Sequence, residues 1–155
     1  EGLNDSKKIS EKKRDALFDV IKEKAVSWSV ASVDEKIIDE INILQATYLA
    51  MRKAVEGLDI PADYALIDGN RMPPLDIDGE TIIKGDANSP SIAAASILAK
   101  VTRDDLMLEA AKEYPQYAFD VHKGYGTKAH YEALAAYGPS PIHRMSFLKK
   151  FYGEK

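Results

Sequence analysis

The chain has 155 residues, 45% of them apolar and 30% charged, which excludes a disordered protein and suits a single globular domain. No apolar run nears the roughly 20 residues of a bilayer crossing, no signal-peptide pattern is visible, and zero cysteines exclude disulfides and zinc–thiolate sites. The net charge of −4 argues against a uniformly basic nucleic-acid binder, yet it averages unlike parts: residues 1–24 carry 7 basic and 6 acidic side chains, 25–111 carry 7 and 15, and 112–155 carry 7 and 4. An acidic centre with basic flanks fits a metal-dependent phosphodiesterase, and it equally fits a solvated surface of uneven charge.

Glu1-Gly2-Leu3 opens the chain without a methionine, directly in a loop-like stretch, so the sequence is expected to be N-terminally truncated. Asn4-Asp5-Ser6-Lys7-Lys8 is a polar turn whose lysines and backbone N–H groups suit a phosphate, or simply a solvated loop. Ser10 is placed to cap a helix through about Lys24, with Leu17, Val20, Ile21 and Ala25 on one face. Val26, Trp28 and Val30 alternate as in a half-buried strand. Asp34 starts a short helical turn. A longer helix follows from about Asn42, stopped by Gly57.

Tyr64 to Ile67 reads as a strand, Arg71 to Gly79 as a loop, and Thr81 to Lys84 as a second strand. Ser89 caps a helix that Pro90 opens and that runs towards Tyr114. Gln116 to Gly126 is a loop, Thr127 caps a helix ended by Gly138, and a last helical turn or two spans Met145 to Phe151. Helices fall between strands often enough to predict an α/β layered domain, although three strands are few for a sheet covered on both faces.

Asp68 and Asp86 are the leading candidates for chemistry. Each follows an apolar run and precedes a turn or helix, so a sheet would hold both carboxylates rigidly, as a hard divalent cation requires. Spacing alone also allows Asp68-Gly69-Asn70 to be a plain turn and Asp86 a helix-entry residue. Asp104 and Asp105 read as a salt-bridged helix surface. In Phe119–Thr127, Tyr125 lies between glycines and beside Lys123, which suits stacking on a sugar or base with a phosphate contact, or a packed loop anchor. His122, His130 and His143 lack the spacing of a metal motif.

Taken in order, Leu3-Asn4-Asp5-Ser6-Lys7-Lys8, Ile41-Asn42-Ile43, Leu66-Ile67-Asp68-Gly69-Asn70, Lys84-Gly85-Asp86, Ser96 to Asp104, His122-Lys123-Gly124-Tyr125, and His143-Arg144 with Ser146-Phe147 resemble the bacterial ribonuclease HII family along nearly the whole chain. The resemblance implies a ribonuclease H-like α/β fold, a mixed central sheet flanked by helices with a C-terminal helical part, as a single domain over 1–155. It implies an endonuclease that cuts the RNA strand of RNA–DNA hybrids and cuts at single ribonucleotides embedded in duplex DNA. The expected mechanism uses two metal ions, Mn2+ or Mg2+, and leaves a 3′-hydroxyl and a 5′-phosphate. A cytoplasmic, monomeric enzyme of ribonucleotide excision is expected, with no membrane partner.

In the family, two aspartates matching Asp68 and Asp86 share the metal site with an Asp-Glu pair on the first strand. The lysine matching Lys7 contacts the phosphate backbone. The tyrosine matching Tyr125 stacks on the deoxyribose after the ribonucleotide, and Lys123 adds to substrate binding. A Gly-Arg-Gly backbone beside the Asp-Glu pair senses the 2′-hydroxyl. That Asp-Glu-x-Gly-Arg-Gly segment and the first strands are absent from this sequence, so the 155 residues alone are expected to be inactive. The alternatives are a catalytically incomplete nucleic-acid-binding fragment, or another metal-dependent phosphotransferase on the same fold.

Overall fold

A computed structural model describes residues 8–153. Packing divides it into two compact units, one of residues up to 32 with 48–102, the other of 33–47 with those from 103 onward.

In the first unit, α1 spans Glu11–Lys24 because the Ser10 hydroxyl accepts the Lys13 amide at 3.3 Å and Lys22 and Lys24 sit at its carbonyl end. Leu17, Phe18 and Ile21 pack it against Ile9, Ile97 and Val101. The expected face included Val20, which is instead 42% exposed. Two strands follow, β1 (Tyr64–Asp68) and β2 (Asp78–Ile82), paired in parallel with Tyr64 opposite Asp78 and Asp68 opposite Ile82. Ala65 and Ile67 turn inward, while Tyr64, Leu66 and Asp68 share the exposed face.

Two strand expectations are corrected. The alternating Val26, Trp28 and Val30 form no strand: Val26 is 84% exposed, and Lys22 Nζ lies 4.8 Å from the Trp28 ring. Alternation decides only which side a residue faces; a strand also needs a neighbour for its backbone, and among the described residues β1 and β2 pair only with each other. The second strand lies earlier than expected, at 78–82, because Lys84 takes a left-handed φ of 51° that breaks the ladder.

The helix α3 (Ile43–Glu56) runs from the second unit into the first. The Asn42 side chain accepts the Gln45 amide at 3.0 Å to start it. Gly57 ends it as expected, though for reasons of space: a Cβ there would lie 2.5 Å from Ser29 Oγ. A four-residue helix, α4 (Gly85–Asn88), then leads into α5 (Pro90–Glu113), which the buried Ser89 hydroxyl caps by accepting the Ile92 amide at 3.3 Å. Ile92, Ala93, Ile97, Leu98 and Val101 are buried along α5.

In the second unit, α2 (Glu35–Ile41) is capped by Asp34, whose Oδ1 accepts the Ile37 amide at 3.0 Å. The loop expected over 116–126 contains helical turns and sends Tyr117, Phe119 and His122 into the core, while Val121 and Tyr125 stay exposed. A 3-10 turn at Pro115–Tyr117 and α6 (Phe119–His122) are bounded by left-handed Ala118 and Lys123, and Tyr117 and Phe119, each 2% exposed, stack at 5.4 Å. Met107, Ala133, Leu134 and Leu148 complete that core. Thr127 Oγ1 accepts the His130 amide to cap α7 (Lys128–Tyr137), and Gly138 ends it at φ 70°. The last 3-10 turn, Met145–Leu148, hangs from Asp39, whose carboxylate accepts the amides of Met145 and Ser146 at 2.8 and 3.0 Å and the Ser146 hydroxyl. Burial works to raise the Asp39 carboxyl, but these Ser146 and Met145 donors, with Arg144 nearby, hold it below its usual value. No helix among the described residues is long and apolar enough to cross a membrane.

Candidate functional site

Because β1 and β2 run in parallel, their carboxyl ends fall together, and the two aspartates gather there. Asp68 is the last residue of β1, opposite Ile82, the last of β2. Asp86 stands four residues further on. It was expected at a strand end, but it lies in the first turn of α4, where an acidic side chain suits the helix amino end.

Gly85 links the two carboxylates. Its amide donates to Asp68 Oδ1 at 2.8 Å, and the next residue in the chain is Asp86. The glycine is buried, and a Cβ on it would lie 2.6 Å from Ile92 Cδ1 and 3.2 Å from Asp68 Oδ1. A side chain there would push Ile92 aside and crowd Asp68, so glycine suits the close approach of this turn to the end of β1. The clamp leaves Asp68 exposed and Asp86 half-buried. Sequence reading named the aspartates and missed Gly85, although a glycine directly before a candidate ligand, at the junction of strand and helix, was a usable signal.

These donors suit Mg2+ or Mn2+, since both are carboxylates and hard cations take oxygen ligands. They are too few alone: among the described residues, no group of three or more His, Asp or Glu side chains is placed to hold a metal ion.

Lys123 and Tyr125 lie in the second unit, in the turn after α6. Lys123 has φ 54° and Gly124 φ 87°, which swings the chain outward and leaves the Tyr125 side chain 54% exposed. Arg103 Nη2 donates to the Lys123 carbonyl at 3.4 Å. Lys7 lies outside the described residues. Asp104, expected on a salt-bridged surface, is buried instead, on the face of α5 that also carries the buried Met107; Asp105 is exposed as expected. An open groove lined by Asp105, Leu108, Glu109, Lys112 and Asp120 holds none of the expected site residues.

The three histidines without a motif do come together, buried in the second unit. The rings of His122 and His130 stack at 4.2 Å, and His130 Nε2 lies 2.7 Å from His143 Nε2. No sequence spacing signals this, since α6, α7 and the segment before the last 3-10 turn each contribute one ring.

The sequence pattern of the ribonuclease HII family matches residues 1–150. The chain is 58% identical over 149 residues to the ribonuclease HII of Clostridioides difficile (strain 630), covering 96% of this chain and 58% of that protein. It is 60% identical over 146 residues to the ribonuclease HII of Endomicrobium trichonymphae, covering 94% of this chain and 70% of that one. The chain thus spans little more than half of the first relative's length. Among solved structures, the ribonuclease H2 from Pyrococcus horikoshii OT3 is similar with a TM-score of 0.76 at 23% identity, over 99% of this chain and 83% of that one, a likeness of α/β fold. From the match over 1–150 and these identities, the chain belongs to the ribonuclease HII family.

Proposed function

We propose that Asp68 and Asp86 are half of the metal site of an endonuclease that cuts the RNA strand of RNA–DNA hybrids and cuts at single ribonucleotides in duplex DNA. The observation that carries this reading is the Gly85 clamp, which holds one carboxylate and presents the next at the carboxyl ends of two parallel strands. Membership of the family supports the substrate class.

In this reading Asp68 and Asp86 would hold Mg2+ or Mn2+, and the bound ions supply charge neutralisation and activation of water in a two-metal hydrolysis. The Gly85 amide keeps the Asp68 carboxylate in one orientation. Lys7 contacts the substrate phosphate backbone, Lys123 adds a second cation, and Tyr125 stacks on the sugar at the RNA-to-DNA junction. The products are a 3′-hydroxyl and a 5′-phosphate. Residues 1–155 are read as one domain of this family, and the cysteine-free composition suits a reducing, cytoplasmic setting, where the enzyme acts as a monomer in ribonucleotide excision.

A second reading applies to the 155 residues by themselves: a nucleic-acid-binding fragment without catalysis. The shortage of metal donors among the described residues favours it. One experiment separates the two. The chain alone and the chain joined to the Asp-Glu-x-Gly-Arg-Gly segment of a family member are each given a duplex carrying one ribonucleotide, with manganese. The joined protein is expected to cut and the chain alone to remain inactive. Cleavage by the chain alone would reject the half-site reading, and an inactive but folded joined protein would reject the enzyme.

A further inference from the structure

The histidine cluster contains an unusual amount of directional information, because most of its partners are backbone groups that only donate or only accept. The Gly124 amide donates to His122 Nδ1 at 3.0 Å, so that nitrogen carries no proton. His122 Nε2 therefore holds the hydrogen and donates to the Tyr117 carbonyl. At the other end, the Ser140 amide donates to His143 Nδ1 at 2.8 Å, which places the hydrogen of His143 on Nε2. His130 Nδ1 lies 2.8 Å from the Tyr125 carbonyl, an acceptor only, so His130 carries its hydrogen on Nδ1. The remaining contact then resolves itself: His143 Nε2–H donates to the bare His130 Nε2 across 2.7 Å.

The result is a one-way chain of neutral rings, Ser140 to His143 to His130 to the Tyr125 carbonyl. The stacked His122 pins Gly124 beside it. The same Tyr125 carbonyl accepts the Thr127 amide at 2.8 Å, and the Tyr125 amide donates to the His122 carbonyl at 2.9 Å. Both sides of the residue's backbone are thus tied to the cluster, while its ring stays on the surface.

We infer that His130 and His143 are positioning residues for Tyr125, and that protonating this pair releases the Tyr125 turn. The inference rests on the reading of Tyr125 as a substrate contact. Its physical basis is that a second proton on either ring displaces a hydrogen bond of the chain. On His130 Nε2 it would meet the hydrogen of His143 Nε2 head-on. On His143 Nδ1 it would displace the Ser140 amide and require the Ser140 hydroxyl, 2.8 Å away, to turn and accept. Either way a buried bond is broken and a buried charge is created.

The groups facing the pair offer such a charge little welcome. From α6 there is His122, and from the segment before the last 3-10 turn there is Arg144, whose charge acts on both rings. From α5, Arg103 reaches the Lys123 carbonyl and also bears on Arg144. Asp39 of α2 is engaged with Met145 and Ser146 and acts on Arg144. Phe119 packs edge-on against His130 and Tyr117 against His143. Burial, helped by His122 and Arg144, outweighs the backbone of Tyr125 and Gly124 beside His130 and of Ser140 beside His143, pushing His130 down and taking His143 down to about 4.

The test uses the full chain labelled with 15N-histidine, and fluorescent duplexes with and without one embedded ribonucleotide. Long-range proton–nitrogen spectra at pH 7.5 are expected to show the Nε2–H form for His122 and His143 and the Nδ1–H form for His130. A different tautomer at His130 or His143 would overturn the relay. On acidification, the Gly124 and Tyr125 amide signals are expected to move with protonation of the pair, before far-UV circular dichroism reports unfolding; a turn that stays fixed would overturn release.

Three variants complete the experiment. Tyr125→Ala is expected to reduce the preference for the ribonucleotide duplex, and no change would remove the reading on which the substrate half of the inference rests, leaving the spectra to judge the relay. His143→Phe, which fills the space without donating, is expected to lose roughly five- to tenfold of that preference, with circular dichroism at pH 7.5 confirming a folded chain. His143→Gln, whose amide still donates towards His130, is expected to recover most of it. If Tyr125→Ala lowers the preference while a folded His143→Phe does not, the positioning role is wrong.

Discussion

The aspartate end of the first unit and the histidine core of the second are built on opposite terms. At the carboxyl ends of β1 and β2, one clamp from Gly85 orients Asp68, and the sheet face carrying Tyr64, Leu66 and Asp68 is open. A parallel pair is ordinarily covered on both faces, and among the described residues this one leaves Tyr64, Leu66 and Asp68 exposed. Around His130, by contrast, hydrogen-bond partners are met, and Phe119 packs edge-on against its ring as Tyr117 does against His143. In the proposed reading, chemistry falls to the exposed aspartate end and positioning to the enclosed histidine core.

The largest expected effect breaks the two regions apart by function. In the chain joined to its Asp-Glu segment, Asp68→Asn keeps the size of the side chain and an oxygen for the Gly85 amide but removes the charge. Turnover should fall by more than the roughly 10–100-fold typical of losing a group that merely supports a metal ligand. Duplex binding and thermal midpoint should hardly move. Steady-state cleavage beside fluorescence anisotropy checks this, and near-normal turnover would reject Asp68 as a ligand.

Stability should divide them the other way. Phe119, 2% exposed and stacked on Tyr117, should cost roughly 3–5 kcal/mol when cut to alanine, whereas Leu66→Ala on the open face of β1 should cost under about 1 kcal/mol. Urea unfolding followed by circular dichroism measures both. A comparable cost for Leu66 would mean that its face is covered.

Acid should sharpen the contrast further. His130 and His143 are both held below the ordinary histidine value in the folded chain, His143 at about 4. Below about pH 6.5 the unfolded chain therefore binds protons that the folded chain refuses, so stability falls as pH falls. The histidine contribution is fully present above about 6.5 and is lost progressively towards 4. Thermal midpoints between pH 7.5 and 4.5 should drop, and the drop should shrink in His143→Phe. An unchanged slope in that variant would acquit the cluster.

How much of this was legible in the sequence follows from the range of the forces involved. Helix ends at Ser10, Asp34, Ser89, Thr127 and Gly138 were readable because a cap acts within a few residues of itself. The false strand at Val26–Val30 and the shifted β2 failed for the opposite reason, since a ladder partner and the left-handed turn at Lys84 are imposed from elsewhere. Asp68 and Asp86 were singled out by their positions after apolar runs and by family resemblance, while the Gly85 clamp beside them depends on the parallel register. The histidines stayed hidden because a relay of ring nitrogens has geometry without any fixed spacing.

The smallest expected effect compares two caps of similar chemistry, one in each unit. Ser10 and Thr127 each accept a backbone amide at 3.3 Å, and either change to alanine should cost roughly 0.5–2 kcal/mol. They differ in what the capped amide belongs to. Ser10 holds Lys13, whose side chain points to solvent, so Ser10→Ala should lower the thermal midpoint by a similar amount at every pH. Thr127 holds the amide of His130 itself, in the turn whose Tyr125 carbonyl that histidine grips. Loosening this amide frees the ring to tilt away from His143, so Thr127→Ala should also raise the pH at which His130 titrates, read from its ring-nitrogen signals. If both variants leave His130 unmoved, the relay is held by its own ring contacts and owes nothing to the helix that carries it.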